Sequence, residues 1–417
     1  MTKLAIFNSF TLNIGLGDFL LEGLIFALYL VNLIYELYNY YSRYFLYIYR
    51  LRLNIYILFK GESTMIKGLK KSLILSCALA FLLPSVASAD MYVTRFAGAD
   101  RYETAIEVQE NYFGKSYASQ AVLAPGNDFR TALYGSYMAT ALKAPFYIVP
   151  KSGISKSILN RLKTNDVDRV YIMGDYKLLN NSLEKTLKAN GFKYSRFYDR
   201  YVGKDFLSIA NDMDLTLFSI LFPDIHFRGD LSNGILVNDQ KFPDLLSSIP
   251  FVANLMREQG TCFVGSYKLN MNDNLEGWRF IIGGNDSIPK RVKTYPEDLD
   301  GLNTHDKDYF GKSSDLYTGR ISGSDRYKTA VEIAKAYKTV LKPYISTAVI
   351  VDSTNYPDAL ASGTVANFSN GVILLTRPDK LNEDTKAFIQ ANDIKNIIIV
   401  GGEKSVSKKV ENELKGL

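Results

Sequence analysis

The chain is poor in the residues that most enzymes and small secreted scaffolds depend on. It has two cysteines in 417 residues, Cys77 and Cys262, and two histidines, His226 and His305. Cys77 lies in an apolar N-terminal run, so the rest of the chain holds one cysteine and no intramolecular disulfide framework. Cys262 sits in an apolar context that suits a small buried hydrophobe rather than a nucleophile with a nearby base. Two histidines, one in an irregular stretch and one in a polar linker, do not make a zinc site. The Gly-x-Ser-x-Gly elbow of a serine hydrolase is missing too. Carboxylates are plentiful, so a glycosidase pair is not removed by counting.

A clean transmembrane run is also lacking. Residues 1–64 are crowded with Leu, Ile and Tyr, but the most apolar part, near 19–35, contains Glu22 and falls short of the roughly 20 apolar residues a span needs. From Met65 the pattern is orderly: Lys67, Lys70 and Lys71, an apolar run from Ser72 to Leu83, then Ala87-Ser88-Ala89. Those parts in that order make a signal peptide over 65–89, with cleavage expected before Asp90. Lys60-Gly61-Glu62 back-translates to a ribosome-binding sequence just ahead of Met65, so residues 1–64 are expected to be a misassigned translation start. Setting aside the eight basic and four acidic residues before Asp90 lowers the net charge from +6 to +2. A polyanion-binding surface would then have to be a local patch.

What the chain does have is repetition. "RFAGADRYETA" (Arg95 to Ala105) returns as "RISGSDRYKTA" (Arg320 to Ala330), with a shorter echo, "RFYDRYVG", at Arg196 to Gly203. Each copy is followed by a second motif: "GNDFRTAL", "DQKFPDLL" and "TNYPDALA". Each unit closes on an apolar run and a polar turn, "YIMGD", "FIIGGND" and "IIIVGGEK". Three units follow: 90–194, a degenerate 195–300 and, after a polar linker at 301–319, 320–417. Apolar runs of four to six residues alternate with helical periodicity, as at Ala330, Ile333, Ala334, Tyr337 and Leu341. This predicts βαβ units around parallel sheets, an α/β fold class of three small domains.

The Asp-Arg-Tyr copies read as helix starts. Gly98 and Gly323 allow a tight turn, and Asp100, Asp325 and Asp199 are suitable N-caps. Arg101, Arg326 and Arg200 then fall in the first helical turn, where the macrodipole disfavours a cation unless an anion is near. That anion is either a ligand's acidic group or a carboxylate of the chain, with Asp244 and Asp358 of the second motifs as the internal partners in view. Unit one has Arg130 and Thr131 where the others have Pro and Asp, so Arg101 is expected to be the most available of the three. Arg95 and Arg320, which open the motif, join the set of cations considered for anion binding.

"RISGSDRYKTAVEIA", "NYPDALASG" and "IIIVGGEKSVS" resemble the type 2 cell-wall-binding repeat of clostridial surface proteins. The resemblance implies three tandem Toprim-like α/β modules in a pseudo-threefold arrangement. It also implies a secreted, non-catalytic protein held without covalent linkage to an anionic wall polysaccharide or teichoic-acid-like polymer. The polymer-binding residues considered are Arg95, Arg101, Arg130, Arg200, Arg320 and Arg326, with no cofactor, no metal and no nucleic acid. A wall-located scaffold or adhesin meeting surface-layer proteins is the alternative, and a peptidoglycan hydrolase a weaker one.

Overall fold

The computed structural model describes residues 91–114, 118–197, 206–224, 234–261, 263–264, 278–294, 311–313 and 316–417. Expectations placed on residues 1–90, Asp199, Arg200, His226, Cys262 and His305 lie outside them. Among the described residues the fold is mixed α/β, with ten α-helices and three sheets that are parallel except for one short antiparallel strand.

The first sheet carries β2 (Gln120–Pro125), β3 (Phe146–Val149), β4 (Arg169–Met173) and β5 (Lys193–Phe197), in the order β3-β2-β4-β5. The second carries β6 (Ile235–Val237), β7 (Phe263–Val264), β8 (Phe280–Ile282), β9 (Gly311–Ser313) and β10 (Leu316–Ile321), in the order β7-β6-β8-β10-β9. The third is built from β11 (Thr347–Asp352), β12 (Gly371–Thr376), β13 (Asn396–Val400) and β1 (Tyr92–Phe96), in the order β12-β11-β13-β1. The inner strands are nearly continuous Val, Ile, Leu and Ala because helices cover both faces of a parallel sheet.

The sheets are offset from the sequence repeat by one strand. β5 opens the second repeat yet pairs with β4, Arg196 opposite Ile172. β10 opens the third repeat yet pairs with β8, Arg320 opposite Ile281. β1 opens the first repeat and pairs with β13 near the C-terminus, Arg95 opposite Ile399. Every unit therefore lends its first strand to the unit before it, and the first unit lends its strand to the last.

The helices after the second motifs meet in one shared core. They are α2 (Phe129–Leu142), α6 (Phe242–Gln259) and a 3-10 turn, Asp358–Ala361, that leads into a helix at Ser362–Phe368. Leu133, Tyr137, Leu246, Ile249, Leu360 and Val365 from all three units belong to one buried cluster. Small residues let the helices approach. A Cβ added to Gly363 would lie 2.5 Å from Ser136 Oγ and 2.6 Å from Ile249 Cγ2. Gly363→Val is expected to cost about 2–3 kcal/mol by overpacking, read as a lower urea midpoint, with Ser136→Ala in the same chain recovering part of the loss.

Candidate functional site

The repeated motif builds the same corner wherever it is described. Asp100 caps α1 (Arg101–Tyr112), its Oδ1 accepting the N–H groups of Tyr102 and Glu103, each at 2.9 Å. Asp325 caps α7 (Arg326–Val340) by accepting from Lys328 N at 2.8 Å. Ahead of each cap a glycine N–H donates to a threonine on the helix, Gly98 to Thr104 and Gly323 to Thr329, both at 3.0 Å. A Cβ at Gly98 would stand 2.4 Å from Glu103 Cβ, and one at Gly323 2.4 Å from Lys328 Cβ. Glycine is required there by close approach.

The arginines divide into two kinds. Arg95, Arg196 and Arg320, at equivalent places on the lent strands, each donate to the carbonyl of the glycine that ends the neighbouring strand. The distances are 2.7 Å to Gly401, 2.9 Å to Gly174 and 2.9 Å to Gly283. Those glycines have φ of 126°, 101° and 120°, the region that favours glycine. Their N–H groups donate back to Phe96, Phe197 and Ile321 at 2.9 Å each. Arg95 also holds Glu411 at 2.9 Å and Arg196 holds Glu184 at 2.9 Å. Burial pushes the Glu411 carboxyl up, but hydrogen bonds from Lys408, Lys415 and Arg95 overcome this and hold it at about 2. Arg95 and Arg320, considered above as anion contacts, are thus spent on clamping the lent strands. Arg196 was missed as their equivalent, although it stands in the same position ahead of the second motif copy.

Arg101 and Arg326 follow the caps, and neither bonds to the acid of a second motif. Arg101 Nη1 donates to the carbonyl of Gly126, and Arg326 Nη1 to that of Ser353 at 2.6 Å, in both cases a residue just beyond the strand before the second motif. Asp358 instead accepts from Ser405 Oγ at 2.7 Å, and Asp244 from Ser287 Oγ at 3.3 Å. The expected Arg–Asp pairing is therefore corrected: the acid secures the glycine turn, and the arginine secures a backbone carbonyl. Unit one loses nothing for Arg101 by having Thr131 in place of the acid; the Thr131 methyl packs against Gly174. Arg130 lies half-buried, with Nε 3.9 Å from Asp128 Oδ1.

These corners frame a crevice at the carboxyl ends of three adjacent parallel strands, the place where open α/β folds receive ligands. Between β6, β8 and β10 it has a volume of about 540 Å³. Lys241, Phe242 and Asp244 from the second motif line it, with Asp286 from the glycine turn and Asp325 and Arg326 from the next unit. Asp244 is 8% exposed. Burial raises its carboxyl to about 6, against the opposing pull of Ser287, Lys241 and Arg326. The corresponding residues of the third sheet are Tyr356 and Asp358, with Asp100 and Arg101 from unit one. At the inner end of the second motifs, Phe129, Phe242 and Tyr356, one from each unit, form a trio of half-buried rings. Their centroids are 5.3, 6.0 and 6.2 Å apart, and Arg101 Cζ lies 6.0 Å from the Tyr356 centroid. The sequence signal for the trio was an aromatic two residues before the Asp, Asp and Thr of the second motifs. Among the described residues no three His, Cys, Asp or Glu side chains are grouped to hold a metal, and no helix is long and apolar enough to cross a membrane.

Comparison with known proteins agrees with this geometry. The model of cell wall binding domain 2 matches residues 95–184 and 320–411. The chain is 24% identical over 344 residues to the N-acetylmuramoyl-L-alanine amidase LytC of Bacillus subtilis (strain 168), covering 81% of this chain and 61% of that protein. It is 25% identical over 322 residues to an amidase enhancer of the same organism, covering 77% of this chain and 40% of that protein. Among solved structures, Cwp8 from Clostridium difficile superposes with a TM-score of 0.59 at 17% identity, covering 83% of this chain and 55% of that one. Cwp6 from Clostridium difficile gives 0.55 at 18% identity, covering 78% and 48%. The chain thus spans less than two thirds of each of these proteins. The two matched stretches fall on the first and third sequence units, so these two repeats are similar to cell wall binding domain 2.

Proposed function

We propose that the chain is a secreted surface protein that anchors without covalent linkage to a Gram-positive cell wall, by binding an anionic secondary wall polymer in its repeated crevices. In this reading residues 65–89 are a signal peptide. The units at 90–194, 195–300 and 320–417 are three Toprim-like modules set about a pseudo-threefold axis through the Phe129, Phe242 and Tyr356 rings. The observation that carries the reading is the repetition of one corner, a capping aspartate followed by an arginine fixed on a backbone carbonyl, at Asp100–Arg101 and again at Asp325–Arg326, where it lines the crevice at the carboxyl ends of β6, β8 and β10. Several weak sites on one rigid body, facing a repeating polymer, gain affinity through multivalency. Arg326 lines that crevice and Arg101 holds the equivalent corner, each with one nitrogen fixed on a carbonyl, and Arg130 and Arg200 complete the cation set. The amidase names belong to proteins of which this chain matches 61% and 40%; the shared portion is read as their wall-binding part, and this chain as non-catalytic.

The test is sedimentation of purified 90–417 with isolated walls, before and after extraction of their anionic polymers. Pelleting that disappears on extraction supports the anchor. Pelleting that survives, or never occurs, turns the units into a scaffold for protein partners. Because Arg101 and Arg326 make the same carbonyl contact, Arg101→Ala and Arg326→Ala should weaken retention to within twofold of one another. A loss confined to Arg101→Ala would restore the idea that unit one is special.

A further inference from the structure

Positive charge is concentrated in one part of the chain. Between 143 and 197 stand eleven basic and four acidic residues, an excess of seven, whereas the chain from Asp90 onward carries only +2. Two helices, α3 (Lys156–Thr164) and α4 (Ser182–Ala189), present much of this charge. Their Ile158, Leu162, Leu183 and Leu187 pack on Leu123 and Ile172 of the first sheet, apart from the core shared by the three units. The helices lie side by side. Ahead of them Asn180 Nδ2 donates to the Lys151 carbonyl at 3.0 Å, and at their far ends Lys163 Nζ donates to Asn190 Oδ1 at 2.8 Å. The solvent side of this layer is basic: Lys156, Lys163, Lys185 and Lys188 are exposed. Glu184 is the one acid on either helix, and Arg196 holds it at 2.9 Å. Of the remaining acids, Asp168 is paired with Lys193 at 3.0 Å, Asp175 accepts N–H groups of its own turn, and Asp166 is exposed just past α3. The fold does not require this charge. The corresponding layer of the third unit, α9 (Glu383–Ala391) and α10 (Lys408–Lys415), sets four acids among four lysines.

Two tyrosines border the basic layer. Tyr176 is 47% exposed, its hydroxyl 3.3 Å from Glu184 on α4. Tyr194 is 37% exposed and stands two residues before Arg196 on the edge strand β5, hence on the same face, the one that meets α4. Exposed lysines are depleted at the cores of protein interfaces, and neither α3 nor α4 exposes a large apolar side chain to anchor a protein partner. A soluble polyanion would use the lysines but gain nothing from the rings. Lipid headgroups use both: ammonium groups meet phosphates, and amphipathic tyrosine rings settle at the same depth. Resting on the reading that the chain is exported, we propose that this layer docks the protein on anionic phospholipid, at the outer surface of the membrane it has crossed. The contact is peripheral and electrostatic, so it is reversible and weakens with salt. It lies outside the crevice, on a different layer of the fold.

The experiment is co-sedimentation of purified 90–417 with lipid vesicles; residues 89–417 form a compact unit of their own, and the apolar run before Asp90, which would bind lipid by itself, is left out. Vesicles of phosphatidylglycerol mixed with phosphatidylcholine should pellet the protein, and vesicles of phosphatidylcholine alone should not. Binding should fall about tenfold between about 50 and about 500 mM salt. Replacing Lys156, Lys163, Lys185 and Lys188 together by Gln should weaken vesicle binding at least about tenfold, with an unchanged urea midpoint because all four are exposed. A control variant removes the same charge from the third unit, with Gln at Lys380, Lys395, Lys404 and Lys409, all exposed, and should bind vesicles to within about twofold of the parent. Equal losses in the two variants would mean that net charge rather than this layer is read, and would overturn the proposal. So would capture of soluble polyphosphate by a chain that ignores the anionic vesicles. Wall sedimentation run alongside separates the two ideas. A chain that pellets with walls but not with vesicles keeps the anchor and loses the lipid contact; one that binds vesicles but not walls does the reverse.

Discussion

Replacing Arg320 by methionine should remove about 3–5 kcal/mol of stability, the largest loss expected from any single arginine of the repeat. The side chain is 5% exposed. Its Nη1 donates to Gly283 at 2.9 Å and Ile288 at 3.1 Å, and its Nη2 to Val292 at 3.3 Å and Pro289 at 3.4 Å. Methionine fills much of the space but leaves these carbonyls, several of them buried, without their donor. Lysine at this position carries the charge without the planar fork, so Arg320→Lys should recover only part of the loss. Arg95→Met should cost less, because Glu411 keeps Lys408 at 2.8 Å and Lys415 at 2.7 Å after Arg95 has gone. Urea denaturation of the three variants ranks them. Wall retention per folded molecule should stay at the parental level for Arg320→Met. A variant that folds normally but leaves the wall would return Arg320 to the polymer contacts and refute its role as a clamp.

The units, the strand–helix alternation and the caps could be read from the sequence because each is local. Asp100 and Asp325 cap helices a few bonds away, and the 3.6-residue period at Ala330, Ile333, Ala334 and Tyr337 lies within a single helix, α7. The lending of strands could not be read. Tyr92–Phe96 looks like any short strand before a helix start, and its partner, Asn396–Val400, is some 300 residues away. Parallel pairing leaves no turn to mark it. The partner of Arg101 and Arg326 was missed for a related reason. Sequence displays side-chain acids such as Asp244 and Asp358, whereas the acceptors used are the backbone carbonyls of Gly126 and Ser353. The middle unit illustrates both points. The family model matches the first and third, and the second lacks the glycine of the opening motif. Yet Gly283, Ser287 and Asp244 repeat the arrangement of Gly401, Ser405 and Asp358 almost atom for atom.

That repetition makes Asp244 the place where pH should act. Its carboxyl is held at about 6 chiefly by burial, whereas an unfolded aspartate titrates near ~3.9. Folding therefore takes up a proton between those values. Stability from this group is fully present below about pH 4 and is lost as pH rises through about 6. Two units correspond to about 3 kcal/mol, an upper figure for the whole excursion. Asp239 and Asp352 are shifted in the same direction by burial, so the parent's profile alone does not isolate one residue; the difference from a variant does. Asp244→Asn imitates the protonated form and can still accept from Ser287 Oγ. It should match the parent at pH 4 and exceed it by about 2 kcal/mol at pH 7.5 in urea denaturation. Glu411 acts in the opposite sense: held at about 2 by Lys408, Lys415 and Arg95, it loses its contribution only as pH falls below the ordinary carboxylate range. Between about pH 4 and 6 the Glu411 clamp is therefore at full strength while the Asp244 contribution falls, and below about pH 4 the clamp weakens where the Asp244 contribution is complete. Parallel profiles for the parent and Asp244→Asn would mean that water reaches this carboxylate and that the crevice floor is open.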